Sequence, residues 1–130
     1  AEHMRTELVG DALQMAIDNG HTRHGETIFH SDRGTQYMSA EFAEFTRAAG
    51  IVRSVGRTGI CYDNAWAESF NATLKVERVH RTVYPTRRHA IADIARYIEL
   101  RYNQKRLHSA LQYRTPNEAE RDWYETNRAA

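Results

Sequence analysis

What most constrains this chain is how little of it reads as β-strand. Two short stretches have the character: Thr27-Ile28-Phe29-His30 and Ile51-Val52-Arg53-Ser54-Val55. Around them the apolar residues recur at helical spacing. Leu8, Val9, Ala12, Leu13, Met15, Ala16 and Ile17 recur at helical spacing over 6–18, with Glu7, Asp11, Gln14 and Asp18 on the other face. Asn19-Gly20 stops it. A second helix runs from Ser39, its N-cap, to Ala49, and Gly50 ends it. A long helix is expected over 63–80, with Trp66, Ala67, Phe70 and Leu74 as its packing arc, interrupted by Glu77. Another follows from the cap at Thr86 to Asn103, with the stripe Ile91, Ile94, Ala95, Ile98 and Tyr102. Thr115-Pro116 opens a last helix, which Trp123 packs down. The order helix–strand–helix–strand–helices predicts an α/β protein with a sheet too small to stand alone.

Composition narrows the class. The chain has 130 residues, 27% of them charged, with two prolines and one cysteine. No apolar run reaches the ~20 residues that span a bilayer, and the first residues show no apolar secretion signal. The lone Cys61 excludes an internal disulfide and fits a reducing compartment. A zinc site is not indicated: His21, His24, His30 and Cys61 lack the spacing of a finger. His30 is expected to orient the turn at Asp32. The net charge of +1 hides an uneven distribution. Residues 1–50 hold 4 Lys/Arg against 8 Asp/Glu, residues 51–114 hold 12 against 5, and residues 115–130 hold 2 against 4. A basic middle of that size suggests a polyanion, nucleic acid first.

Two carboxylates occupy informative places. Asp32 follows directly on the first strand, and chemistry in α/β proteins gathers at the carboxyl ends of strands. Glu68 lies on the long helix, where successive residues turn by about 100°. Asn64, Glu68, Asn71 and Lys75 then share a narrow polar face within about 60°.

Three stretches carry a resemblance. They are His30-Ser31-Asp32-Arg33-Gly34-Thr35-Gln36-Tyr37, then Cys61-Tyr62-Asp63-Asn64-Ala65-Trp66-Ala67-Glu68-Ser69-Phe70 with Leu74-Lys75, then Tyr102-Asn103-Gln104-Lys105-Arg106-Leu107-His108-Ser109-Ala110-Leu111 with Thr115-Pro116. Together they resemble the integrase-core transposases of bacterial insertion sequences, the DDE group with a ribonuclease-H-like fold. The likeness runs from about His3 to about Glu120.

The resemblance implies a function: metal-dependent cleavage and transfer of DNA strands. It implies Asp32 and Glu68 as the second and third metal-binding and catalytic acids, with Mg²⁺ or Mn²⁺ as cofactor. Lys75 would contact DNA beside the scissile phosphate. The loop bearing Arg57 lies near the site in such proteins, so Arg57 is a candidate phosphate contact. Asn64 and Asn71, by their spacing, are candidates to bind phosphate or position the glutamate. Arg101, Lys105, Arg106 and His108 form a basic cluster expected on the DNA backbone.

The family's first acid lies on a strand upstream of the opening helix. The expectation is therefore an N-terminally truncated α/β core without its first three strands, residues 1–114, followed by a helical tail, 115–130. Such a fragment is expected to be inactive alone. The alternatives are a non-catalytic DNA-binding module and an inactive remnant. The expected partners are transposon-end and target DNA and, to cover the strand edges, a further copy of the chain. No membrane is expected. The expected location is the bacterial cytoplasm, on the nucleoid when DNA-bound.

Overall fold

A computed structural model describes residues 6–57 and 64–128. The chain divides into two compact units, residues 1–69 and 70–130.

In the first unit, α1 (Thr6–Asp18) precedes β1 (Ile28–Ser31), α2 (Ala40–Ala48) and β2 (Val52–Val55). The two strands are parallel, in register from Ile28 opposite Val52 to Ser31 opposite Val55. Parallel neighbours need a crossover, and α2 supplies it. The start of α2 is set locally: Ser39 Oγ accepts a hydrogen bond from the Phe42 N–H at 3.1 Å. Its end is set by Gly50 at φ +68°, a left-handed conformation that favours glycine. A Cβ there would stand 2.1 Å from the His24 ring, so the close approach also requires glycine.

The core of this unit is Leu13, Phe42 and Ile51, with Val9, Ile17, Phe29, Tyr37 and Phe45 packed around it. Phe42 is 1% exposed and lies 5.3 Å from the Phe29 ring and 6.2 Å from Tyr37, both near edge-to-face. Burying such a side chain contributes roughly 1.5–3 kcal/mol. Buried Thr46 satisfies its hydroxyl by donating to the Phe42 carbonyl at 2.9 Å.

The helix bearing Glu68 is α3 (Ala65–Glu77), with its last residues, from Phe70 on, in the second unit. It is shorter than expected. Its anticipated start at Asp63 lies outside the described residues. At the other end the backbone leaves helical geometry at Arg78 (φ −131°) and a 3₁₀ turn, Val79–Arg81, follows. The expected packing arc is also displaced. Trp66 is 81% exposed and Ala67 is exposed, whereas Phe70, Thr73, Leu74 and Glu77 are half-buried. Packing begins one turn later than the sequence pattern suggested, and a carboxylate belongs to it.

Thr86 caps α4 (Arg87–Arg96), accepting the His89 N–H. The helix does not run uniformly to Asn103. It changes to a π turn over Tyr97–Tyr102, closed by Asn103 N–H to the Ile98 carbonyl at 3.0 Å. This added residue per turn rotates the stripe. Ile91 (61% exposed) and Ala95 face outward, Ile94, Ile98 and Tyr102 are half-buried, and Tyr97 becomes the buried residue. A 3₁₀ turn (Ser109–Leu111) leads to α5 (Pro116–Arg128). Thr115 and Glu118 form a reciprocal capping box there, at 2.8 and 3.2 Å. Trp123, expected to pack this helix down, is 49% exposed and meets the Tyr124 ring edge-on.

Candidate functional site

Asp32 is exposed and sits one residue beyond β1. Its Oδ1 accepts the Gly34 N–H at 2.8 Å, closing a tight turn. The turn is close-packed at Gly34, where a Cβ would lie 2.7 Å from the Gln36 side-chain amide and 3.0 Å from the same carboxylate oxygen. The turn is fastened to the end of β2. The Gly56 N–H donates to the Ser31 carbonyl at 2.8 Å, and Arg33 Nε donates to the Gly56 carbonyl at 3.2 Å. His30 does not orient the turn: its Nδ1 meets Ser54 Oγ across the two strands at 2.9 Å. Arg57 follows β2 and is exposed.

Glu68 stands exposed in the first turn of α3, where a carboxylate suits the positive end of the helix dipole. Asn71 and Lys75 are exposed on the same helix, and Asn64 is half-buried just before it. The narrow polar face expected from the spacing thus points to solvent. Among the described residues, no group of three His, Cys, Asp or Glu side chains comes together.

The basic cluster divides. Arg101 and Lys105 are exposed. Arg106 is turned inward, its Nε donating to Glu77 Oε1 at 2.8 Å, with the guanidinium 5.9 Å from the Tyr102 ring centroid. His108 stacks edge-on against Tyr102 at 4.8 Å, and its Nε2 is buried without a hydrogen-bond partner among the described residues. Burial, then the neighbouring Arg106, hold the His108 imidazole below its ordinary value. The Arg106 guanidinium is spent on Glu77 and the half-buried His108 ring stands against Tyr102, so neither is presented to solvent as Arg101 and Lys105 are.

The residue that sequence reasoning undervalued is Glu77, which looked like an interruption of the apolar arc. It accepts from Tyr97 Oη at 2.6 Å as well as from Arg106. Burial alone would push its carboxyl up, but the Tyr97 and Arg106 hydrogen bonds hold it below the ordinary carboxylate value. A carboxylate inside an apolar stripe signals a buried partner, and that was the available clue.

Two family models described as integrase core domain match, one over residues 49–116 and one over 1–61. The transposase for insertion sequence element IS904 of Lactococcus lactis is 39% identical over 93% of this chain and 47% of its own length. The insertion element IS600 31 kDa protein of Shigella sonnei is 43% identical over 85% of this chain and 40% of its own. The chain thus spans less than half the length of these curated relatives. The catalytic core domain of BIV integrase has the same fold, with a TM-score of 0.64 at 17% identity, covering 98% of this chain and 78% of that one. Helices around a small parallel sheet, the order of the three motifs and these likenesses agree: the chain belongs to the integrase core domain family, with a ribonuclease-H-like fold and insertion-sequence transposases as its relatives.

Proposed function

We propose that this chain carries part of the machinery of a DNA transposase, cleaving and joining DNA strands at transposon ends and target. The observation that carries the reading is the pair of exposed carboxylates on rigid supports. Asp32 stands at a strand end in a glycine turn, and Glu68 on the first turn of α3. Hard divalent cations take oxygen ligands, so the donor chemistry of Asp32 and Glu68 fits Mg²⁺ or Mn²⁺. Such an ion, when bound, supplies Lewis-acid stabilisation of the phosphodiester and activation of a hydroxyl. Lys75 offers a point charge to a backbone phosphate, and the Asn64 and Asn71 amides offer hydrogen bonds to its oxygens. Arg57 serves the same backbone. A two-metal centre takes ligands from three positions, and the described residues supply two, so the chain alone binds metal weakly and does not transfer strands. DNA as the partner assigns the work to the bacterial cytoplasm, on the nucleoid.

The test is calorimetric titration with Mn²⁺ of the chain and of Asp32→Asn and Glu68→Gln. Both substitutions should abolish the binding heat. Unchanged heat in both would refute the metal assignment. Mg²⁺-dependent nicking by the chain, lost in both variants, would overturn the inactivity of the chain alone.

A further inference from the structure

A cavity of about 280 Å³ opens in the second unit where α4 passes into the π turn. Four cations line it, Arg78, Arg96, Arg101 and Lys105, over a floor that includes the Tyr97 ring. Its one carboxylate, Asp93, is already occupied. Arg78 Nε donates to Asp93 Oδ2 at 2.6 Å, a second Arg78 nitrogen bonds Oδ1, and Tyr84 Oη donates to Oδ2 at 2.7 Å. That leaves Arg96, Arg101 and Lys105 with no side-chain hydrogen bond or salt bridge among the described residues.

The π turn explains why they meet. In an α-helix, residues five apart point in different directions, about 140° apart at 100° per residue. Where hydrogen bonds close over five residues, position i+5 returns beneath position i. The turn closes in this way from Asn103 N–H to the Ile98 carbonyl and from Arg106 N–H to the Arg101 carbonyl at 2.8 Å. The result is visible in the rings of Tyr97 and Tyr102, also five apart, whose centroids are 6.4 Å from each other. Arg96 and Arg101 are brought to one cavity by the same geometry. A helix defect costs backbone regularity, and here it gathers charges that repel one another. Arg96, Arg101 and Lys105 are exposed, and like charges held side by side raise a positive potential at the surface, so the arrangement suits an anionic occupant.

We propose that this cavity is a docking site for the phosphodiester backbone of DNA, with Arg96, Arg101 and Lys105 as its phosphate ligands and Arg78, braced by Asp93, as its wall. The proposal rests on the reading that the chain handles DNA, and adds a second grip on the strand that joins Arg96 to Arg101 and Lys105.

The experiment is fluorescence anisotropy of the full chain with a labelled DNA duplex across a salt series. Each phosphate contact contributes about 0.9 to the slope of log K against log salt, so R96Q/R101Q should lower that slope by about 1.8. Against a 1 M reference, this corresponds to roughly 60-fold weaker binding at ~0.1 M salt. The charge-keeping R96K/R101K should retain the slope. Lys105→Gln, in an exposed turn, should remove about 0.9 by itself and serves if the double variant fails to fold. A slope unchanged in R96Q/R101Q and in Lys105→Gln overturns the pocket. So does displacement of the duplex by inorganic phosphate beyond the effect of chloride at equal ionic strength, because the site would then take a free anion. Failure of the metal reading registers separately, in the Mn²⁺ titration of Asp32→Asn.

Discussion

Replacing Glu77 by glutamine keeps the side-chain volume and removes the charge that Arg106 and Tyr97 converge on. The two partners of the ion pair have side chains 28% and 31% exposed, between the surface and the buried limits. An exposed pair is worth about 0–1 kcal/mol and a hydrogen bond to a charged group about 1.5–3. Solvent at a third of each side chain pulls the value toward the lower range, so Glu77→Gln should cost about 2 kcal/mol. The coupling to Arg106, isolated by a cycle with Arg106→Gln, should be about 1 kcal/mol. The assay is urea unfolding followed by near-UV circular dichroism of the Tyr97–Tyr102 cluster. Trp66 is too exposed to report on packing. The effect also has a pH signature. The Glu77 carboxyl is held below its ordinary value, so its contribution is complete above the unfolded value of about 4.3 and is lost as pH falls through the depressed folded value. The gap between wild type and Glu77→Gln should therefore be constant at neutral pH and narrow below about pH 4. A coupling within about 0.3 kcal/mol of zero, the scatter of independent sites, would refute the anchoring role.

Two further outcomes test the fold and its charges. Gly50→Ala should destabilise by at least about 2 kcal/mol, as a left-handed alanine alone costs about 1–2 and a Cβ would also meet His24 at 2.1 Å. Gly20→Ala, at φ +74° with open space around it, should show only the backbone cost. Equal losses in thermal melts would mean that the His24 contact is absent in solution. Asp93 is held down to about 2 by the hydrogen bond from Arg78 and then that from Tyr84. Its stabilising contribution is present above about pH 4 and disappears as pH falls through about 2. A carboxyl carbon-13 titration should find that midpoint, and a midpoint near the ordinary aspartate value would break the assignment.

What could be read from the sequence was local chemistry. Ser39, Gly50, Thr86 and Thr115 act through their own hydroxyls or backbone angles, and each stands where its residue type placed it. Asp32 and Glu68 stand out as candidates because their flanking residues form recognisable motifs. The π turn was not legible, because helical periodicity assumes a constant angle per residue and the extra residue is stabilised by packing of Tyr97 and Tyr102. The charge arithmetic showed a basic middle but not which cations were already spent. Arg78, Arg106 and Arg114 are consumed by Asp93, Glu77 and Asp122, partners 15, 29 and 8 residues away. Only three-dimensional pairing separates these from Arg96, Arg101 and Lys105.

The C-terminal motif that helped to reveal the family therefore has an architectural meaning within the second unit. The Tyr102 ring meets Phe70 of α3 at 5.1 Å, edge-on. Arg106 reaches Glu77 at the end of the same helix. The Asn103 carbonyl accepts the Asn117 N–H at 3.0 Å, which ties the turn to the start of α5. These contacts grip α3 from Phe70 to Glu77, while its first turn, with Trp66 and Glu68, stands in solvent. A rigid helix transmits the constraint along its axis, since each residue is fixed to the fourth before it. Within the second unit, substitutions at Tyr102 or Arg106 should therefore loosen the hold on α3 between Phe70 and Glu77.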